Sequence, residues 1–395
     1  ERGDPKPLYA SEEKPGLAGT PVPRYDLFDA AKYNVMPVQF SRGCPFGCEF
    51  CDITGLFGRV PRVKPAENFL RELDALEATG FRGNVFIVDD NFIGNAPAVK
   101  DLLREIADRR KTRGLPFRFC TEASVNLASD PELLDLMRDA GFYMVFVGLE
   151  TPVEESLRSA GKLHNLRGGA AEAVREIQAR GIEVSGGFIV GFDTDPPDVF
   201  DRQITFIRDL AVPTAMIGLL TALPATPLYE RLKSEGRLLA ESSGNNTHEL
   251  ELNFVPRLPA DFLRDGYRRT LSVLYSPREY FRRCRDFLDR IPRTREAAGN
   301  GEKVFSPGNF FAAVRSVFRQ TFSSLGPAYL AFLSRALLRH PDQTVRIFTL
   351  AIQGHHFFVI TRRIAGGTPR GEKPAALRKA LRRATMPAYT EKGAP

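Results

Sequence analysis

The stretch SRGCPFGCEFCDI, residues 41–53, places three of the chain's five cysteines close together: Cys44, Cys48 and Cys51. The other two, Cys120 and Cys284, lie far away along the sequence. This clustering is typical of metal binding rather than of a secreted disulfide framework, and it indicates a reducing, cytoplasmic setting. Thiolates favour iron–sulfur clusters and zinc. Three thiolates on a four-iron cube leave one iron open to a substrate or cofactor.

Strands and helices alternate after this stretch. The apolar run VMPVQFS leads into the cysteines and predicts a first strand, and five further strands are each separated by a helical pattern: NVFIVDDN, FRFCTEASV, YMVFVGLE, IEVSGGFIVGFD and TAMIGLLTALP. Such apolar runs suit parallel strands that are buried on both faces. Composition alone leaves open whether the sheet is doubly wound or a barrel. The absence of a G-x-G-x-x-G fingerprint and of a phosphate loop disfavours those nucleotide-binding folds.

Polar residues mark the ends of the predicted strands, where parallel α/β folds gather their chemistry. The cysteines follow the first strand, and the polar candidates at the next three strand ends are Asp89, Asp90, Glu122, Ser124 and Glu150. Each of these could singly cap a helix or form a salt bridge. Together they favour one binding site at this edge of the sheet.

The spacing Cys44-x-x-x-Cys48-x-x-Cys51, with the aromatic Phe50 before the last cysteine, resembles the signature of the radical S-adenosylmethionine (SAM) superfamily. The resemblance implies an α/β fold, a partial (β/α)6 barrel. It implies that the three cysteines hold a [4Fe–4S] cluster whose open iron chelates SAM. One electron from the cluster would then cleave SAM to a 5′-deoxyadenosyl radical, which takes hydrogen from an unreactive carbon. The electron would come from a reductant such as flavodoxin or ferredoxin.

The resemblance also assigns roles to the strand-end residues. Phe50 and the fifth-strand residues Gly187, Ile189 and Gly191 are expected at the adenine of SAM. Asp89 and Asp90 stand where the superfamily holds the SAM amino group, and Glu150 is expected at the ribose hydroxyls or the amino group. Glu122 and Ser124 complete the expected cofactor site. No catalytic base is expected, because hydrogen abstraction by a carbon radical needs none.

A narrower resemblance rests on VDDNFIGN, SVNLASDPELLDLMRDAGF, GGFIVGFDTD and ALPATPLYERLKSEGRL. These segments are similar to the cobalamin-dependent class, in a branch with a C-terminal DUF4070 extension that includes relatives of the hopanoid methylases. This implies cobalamin as a further cofactor, bound mainly by an upstream domain that we expect to be missing, since the chain starts at Glu1. The implied reaction is methylation of an unactivated carbon. Alternatives are radical cyclisation, rearrangement or oxidation without methyl transfer, a non-catalytic iron–sulfur or electron-transfer protein, and a zinc site.

Four regions are expected: a linker or strap over 1–34, the barrel core over 35–225, a barrel-closing helical segment over 226–290 and a basic helical extension over 291–395. Residues 276–395 hold 22 Lys+Arg against 8 Asp+Glu, although the whole chain carries only +7. We expect this part to pack on the barrel, to cover the substrate entrance and to contact anionic membranes weakly. The expected partners are a small-molecule or lipid substrate and the reductant, with no nucleic acid. His355 and His356 are interpreted as polar surface residues, not ligands.

Overall fold

Six parallel strands form one sheet in the computed structural model, which describes residues 13–167, 169–242, 250–292 and 307–366. Their order in the sheet is β1 (Val35–Val38), β4 (Gly83–Ile87), β5 (Phe117–Ala123), β6 (Phe142–Glu150), β7 (Glu183–Val190) and β8 (Ala215–Leu219). A two-residue antiparallel ladder joins β2 (Ser41–Arg42) to β3 (Arg62–Val63). In the described part of the chain β1 and β8 do not pair with each other, so the sheet is an open half-barrel. The predicted strands and fold class are confirmed.

Helices follow the strands and cover the outside of the sheet. Up to residue 210 they are α1 (Ile53–Phe57), α2 (Ala66–Ala78), α3 (Ala96–Arg113), α4 (Pro131–Ala140), α5 (Glu154–Ser159), α6 (Ala170–Gln178) and α7 (Val199–Leu210). The later ones are α8 (Pro227–Ser234), α9 (Ala260–Leu274), α10 (Pro277–Arg290), α11 (Pro307–Thr321), α12 (Gly326–Arg339) and α13 (Thr344–Ile364). The sequence does not predict α1 and α5, because helices this short cover too few turns to show a 3.6-residue repeat.

Capping residues define where the helices begin and end. The side chain of Asn95 accepts from the N–H of Ala98 at 3.4 Å at the start of α3. At the start of α4, Asp130 accepts from the N–H of Leu133 at 3.1 Å. Gly141 ends α4 with a φ of 92°, a left-handed conformation that glycine adopts without strain. These local signals confirm the boundaries predicted from the sequence.

The described part of the predicted strap, from residue 13 onward, lies against the first helices. Lys14 donates from Nζ to the carbonyls of Gly55 and Leu56 at 2.7 and 2.9 Å. Leu17 is buried, and Asn68 donates to the carbonyl of Ala18 at 2.7 Å. Residues 1–12 of this predicted region lie outside the described residues. The strap therefore packs beside α1 and α2 near the cysteines.

The C-terminal helices pack at the edge of the sheet opposite the cysteines. Arg283 of α10 is fully buried and donates to the carbonyl of Val212, just before β8, at 3.0 Å. Arg346 of α13 donates to the carbonyl of Gly181, just before β7, at 3.1 Å. Helices α11 and α12 pack on α10 and α13 in turn. The described C-terminal helices therefore contact the amino ends of β7 and β8, and coverage of the substrate entrance by this segment stays a prediction.

No helix in the described ranges is both long enough and apolar enough to cross a bilayer. The tail after Gly366, which the sequence analysis interprets as basic, lies outside the described residues.

Candidate active site

The cysteine loop, residues 44–51, is held by backbone hydrogen bonds to three neighbouring segments. The N–H of Cys44 donates to the carbonyl of Gly58, at the end of α1, at 3.2 Å. Glu49 donates its N–H to the carbonyl of Ala160, after α5, and accepts at its carbonyl from the N–H of Leu228 in α8, both at 2.9 Å. The loop is therefore fixed by the ends of elements that come shortly after it and long after it in sequence.

The three thiols of this loop are half-buried. Burial raises the pKa of Cys48, and raises that of Cys51 to about 11, and the nearby thiols add to both effects. Thiolates at these positions therefore need a cationic partner. In the described ranges, no group of three or more His, Cys, Asp or Glu side chains is placed to hold one metal ion. A four-iron cube takes each thiolate at a separate corner, so three thiols on one loop fit such a cluster.

The remaining two cysteines are structural thiols in the core. Cys120 lies on β5 and is 4% exposed, with its Sγ 3.8 Å from the carbonyl oxygen of Val85. Cys284 lies on α10 and is fully buried. This agrees with the interpretation of both as packed residues.

A buried ion pair lies next to the cysteine loop. Lys162 donates from Nζ to Oε1 of Glu150, the last residue of β6, and the two side chains are 12% and 7% exposed. Burial opposes the charge of Lys162, but the charges of Glu150 and Cys48 outweigh it and raise the pKa of Lys162. The same Nζ lies 5.7 Å from the centre of the Phe50 ring. Positive charge is thus placed between a carboxylate, an aromatic face and the cysteines.

Glu150 has a strained backbone at this position. Its φ is 60°, in the left-handed region that non-glycine residues rarely adopt, and the pairing of β6 with β7 shifts register here. Gln203 of α7 donates to its carbonyl at 3.2 Å, which helps to hold the shifted chain. Strain of this kind is often found at functional sites, and here it directs the carboxylate towards Lys162.

Both oxygens of the Asp89 carboxylate are bonded to the chain that leads into the cysteine loop. Oδ1 accepts from the N–H of Phe40 at 2.7 Å, and Oδ2 accepts from the N–H and hydroxyl of Ser41 at 2.8 and 2.7 Å. Asp89 is 1% exposed, and burial raises its pKa to about 6 against the opposing effect of these donors. The adjacent Asp90 is half-buried and accepts from the N–H of Gly43 at 3.0 Å. Asp89 therefore positions the loop, whereas Asp90 keeps acceptor capacity.

Glu122 and Asp90 form an acidic pair close to the first cysteine. Burial raises the pKa of Glu122, and the charge of Asp90 raises it further. Within the described residues no donor bonds to Glu122. Beside it, the Asn91 amide nitrogen donates to the hydroxyl of Ser124 at 3.0 Å and lies 3.9 Å from Sγ of Cys44. Neither carboxylate forms a salt bridge within the described residues, although the charge of Arg42 acts on Asp90, and such a pair suits a ligand that brings an ammonium group.

A small cavity lies beside Phe50. The Phe50 ring is 6.1 Å from that of Phe192, and Ile189 of β7 packs in the same apolar cluster. The cavity has a volume of about 280 Å³ and is lined by Glu49, Phe50, Ser159, Phe192, Asp193, Leu220, Leu228 and Arg231. Its lining combines four apolar and four polar or charged side chains, which suits a nucleobase with apolar faces and polar edges.

Glycine is required at positions 187 and 191 of the fifth predicted strand for two different structural reasons. Gly191 has a φ of 106°, which favours glycine at the turn into this cavity. A Cβ on Gly187 would lie 2.7 Å from the ring of Phe146 on the neighbouring strand. Gly187 is therefore explained by close packing between β6 and β7.

An ion-pair network joins the cysteine loop to the end of β7. Arg231 of α8 donates from Nε to Glu49 at 2.5 Å and from Nη1 to Asp193 at 2.9 Å. Arg237 binds both oxygens of Asp193, at 2.6 and 2.8 Å. Arg237 first, and Arg231 in addition, lower the pKa of Asp193. These contacts join segments far apart in sequence around the cavity.

The structure brings most of the predicted site residues to one edge of the sheet: the three cysteines, Phe50, Asp90, Glu122, Ser124, Glu150, Ile189 and Gly191. Asp89 and Gly187 lie at the same edge, but the contacts described above account for them. Four residues at this edge are not predicted from the sequence: Lys162, Glu49, Arg231 and His164. The ring of His164 stacks on that of Phe46 in the cysteine loop, with ring centres 3.7 Å apart. These four lie in loops or on a helix surface, where no periodic pattern singles them out.

Comparison with known proteins finds two domains in the chain. The model of the Radical SAM superfamily matches residues 38–207, and that of DUF4070, a domain of unknown function, matches residues 226–368. An uncharacterized methyltransferase of Synechocystis sp. is 47% identical over 289 residues, which cover 73% of this chain and 54% of the relative. The hopanoid C-2 methylase of Rhodopseudomonas palustris is 40% identical over 276 residues, with 70% and 51% covered.

The chain thus spans about half the length of the curated relatives it matches. Among solved structures, a radical S-adenosylmethionine methyltransferase from Kitasatospora setae with cobalamin and a [4Fe–4S] cluster bound has a TM-score of 0.49 at 16% identity, covering 83% of this chain and 63% of that one.

Proposed function

Since the chain belongs to the radical SAM superfamily, we propose that it is the catalytic part of an enzyme that cleaves SAM reductively to methylate an unactivated carbon. The observation that carries this proposal is the grouping of three half-buried cysteines, Phe50 and the Glu150–Lys162 pair around one loop. When bound, the cluster, SAM and cobalamin would supply the electron, the radical and the methyl group that this chemistry needs.

The chain's own residues would bind and orient these groups. Cys44, Cys48 and Cys51 would hold the cluster, and the backbone bonds of the loop would fix the direction of the thiolates. Asp90 and Glu122, which have acceptor capacity to spare, would receive the SAM amino group. Lys162 would face the SAM carboxylate while it remains beside Glu150.

The cavity next to Phe50 would take the adenine of SAM. Phe50 and Phe192 provide apolar surface there, while Ile189 packs against the same apolar cluster and Gly191 forms the turn beside it. The Arg231 network would keep the cavity wall in place. Asp89 would not contact SAM, and would instead position the cysteine loop by holding the chain that leads into it.

Cobalamin as a cofactor, a lipid or other small-molecule substrate and a one-electron reductant such as flavodoxin or ferredoxin are further parts of the proposal. Similarity to a hopanoid methylase supports a substrate with unactivated carbons. We also propose the division into a strap over 1–34, a barrel over 35–225, a closing segment over 226–290 and an extension over 291–395. A cytoplasmic location with peripheral membrane contact completes the proposal.

Two variants test the cluster assignment. After anaerobic reconstitution, Cys48→Ala should lose most of its bound iron and sulfide, while Cys120→Ala, which removes a core thiol, should keep both. With SAM and a reductant, only the second variant should form 5′-deoxyadenosine. Equal iron content and equal 5′-deoxyadenosine formation in the two variants would refute the assignment.

Methyl transfer is tested separately, with cobalamin and candidate substrates present. A product heavier by one methylene supports methylation. Any other change in product mass would instead indicate cyclisation, rearrangement or oxidation, and SAM binding without turnover would indicate a non-catalytic protein.

A further inference from the structure

Helix α11 exposes large apolar side chains along one face. Val314 and Phe318 are 49% and 71% exposed, and Phe322, directly after the helix, is 79% exposed. The rings of Phe318 and Phe322 meet edge to face with their centres 5.1 Å apart. Positions 314, 318 and 322 repeat every four residues, so they lie on one side of the helix. We call these three residues the aromatic face; each phenylalanine there is costly to leave in water.

Arginines lie directly beside this face. Arg315 and Arg319 line the same surface hollow, of about 590 Å³, as Phe318. Arg362 of α13 donates to the hydroxyl of Ser324, two residues after Phe322, at 3.4 Å. The apolar strip is thus flanked by positive charge from two helices.

The helical segment over residues 307–366 carries mostly positive charge. Residues 307–366 contain seven arginines, no lysine and a single acidic residue, Asp342. The described surface around the aromatic face therefore complements a negatively charged partner.

The charge pattern also argues against two other occupants. A second copy packed by two-fold symmetry would bring the same arginines face to face. The chain's own residues 367–395 carry seven basic and two acidic residues, so they too would be repelled. A bilayer of anionic lipids offers both an apolar layer for the rings and negative head groups for the arginines.

We propose that the aromatic face of α11, with Arg315 and Arg319, docks onto anionic membrane surfaces by inserting Phe318 and Phe322 at the head-group boundary. The inference deepens the peripheral contact named under the proposed function, but it does not depend on SAM chemistry. It would place the enzyme at a surface where apolar substrates concentrate.

Sedimentation of the full chain with phosphatidylcholine vesicles, with and without phosphatidylglycerol, tests the inference. Binding should require the anionic lipid and weaken as salt rises. Phe318→Ser/Phe322→Ser removes apolar burial, and Arg315→Glu/Arg319→Glu removes attraction to the anionic head groups. Each double variant should bind vesicles about tenfold more weakly or worse, which corresponds to a loss of about 1.4 kcal/mol or more of binding free energy. Leu27→Ser, which removes another exposed apolar side chain, 75% exposed and far from α11 in sequence, should bind like the unchanged protein.

Circular dichroism and 5′-deoxyadenosine formation in all variants separate this inference from folding and from the proposed function. Unchanged vesicle binding in Phe318→Ser/Phe322→Ser would overturn it. A second result would also overturn it: the unchanged protein forms a dimer in solution and does not bind vesicles, and Phe318→Ser/Phe322→Ser is monomeric. A second copy of the chain would then be the occupant of the aromatic face.

Discussion

Replacing Asp89 by Asn should weaken the attachment of the cysteine loop without changing the shape of the side chain. In the native protein each carboxylate oxygen faces a backbone N–H, that of Phe40 for Oδ1 and that of Ser41 for Oδ2. Asparagine can offer an oxygen to only one of them. Its amide NH2 must then point at the other N–H, so one buried donor loses its acceptor.

The cost follows from burial and from the number of bonds. Asp89 is 1% exposed, so water cannot replace the missing acceptor. An unsatisfied buried donor costs about 1–3 kcal/mol, and the Ser41 hydroxyl can rotate to accept from the new amide. The substitution also removes a charge whose burial raises the pKa of Asp89 to about 6, which offsets part of this cost, so we expect Asp89→Asn to lower the free energy of unfolding by about 1 kcal/mol.

Urea unfolding near neutral pH, followed by circular dichroism, measures this cost, with Asp90→Asn as the matched control. Asp90 is the next residue and accepts a single bond from Gly43, at 3.0 Å, which an asparagine oxygen can keep. The control should therefore unfold within about 0.5 kcal/mol of the native protein. Because Asp89 holds the chain before Cys44, Asp89→Asn should also bind less iron after reconstitution.

Two results would refute this reasoning. One is an unfolding midpoint for Asp89→Asn equal to that of the native protein. The other is an equal loss of stability in both variants, which would mean that the effect comes from lost negative charge at this edge and not from the hydrogen bonds.

Three further predictions concern buried polar groups. Burial lowers the pKa of His164 to about 4, so between about pH 6.5 and 4 the unfolded chain binds a proton that the folded chain does not. The free energy of unfolding should therefore fall as pH drops through this range, and it should fall less in His164→Phe. Urea unfolding at about pH 7.5 and about pH 5 measures both effects. Lys162→Met should cost about 3 kcal/mol because Glu150 stays buried without its partner, and adding Glu150→Gln should restore much of that loss in thermal unfolding. Arg283→Met should cost about 3 kcal/mol in the same assay, since it leaves buried carbonyls unpaired, whereas Arg278→Met, at an exposed position on the same helix, should cost almost nothing.

The cysteine spacing, the six strands and most of their helices could be predicted from the sequence, because each depends on residues close together in the chain. An apolar run bounded by turns predicts a buried strand, and a capping residue such as Asn95 or Asp130 predicts where a helix begins. Parallel strands also bring their carboxyl ends to one edge of the sheet, so the sequence pattern alone predicts that Glu122 and Glu150 lie near the cysteines.

The sequence could not predict what each strand-end residue would contact. Asp89 and Asp90 are adjacent and chemically identical, yet one is bonded through both oxygens to Phe40 and Ser41 and the other keeps acceptor capacity. Burial and the directions of nearby N–H groups decide between them. Both depend on how the chain before the cysteines packs against β4.

The partners of the cysteine loop were likewise decided by tertiary structure alone. Glu49 and Arg231 meet although 182 residues separate them, and Lys162 reaches Glu150 from a loop without any periodic pattern. The sequence marked the C-terminal helices as amphipathic and basic, but an apolar stripe says only that a face will be covered, not by what. Only folding placed α10 and α13 at the amino ends of β7 and β8, because buried arginines there found carbonyls that local sequence cannot identify.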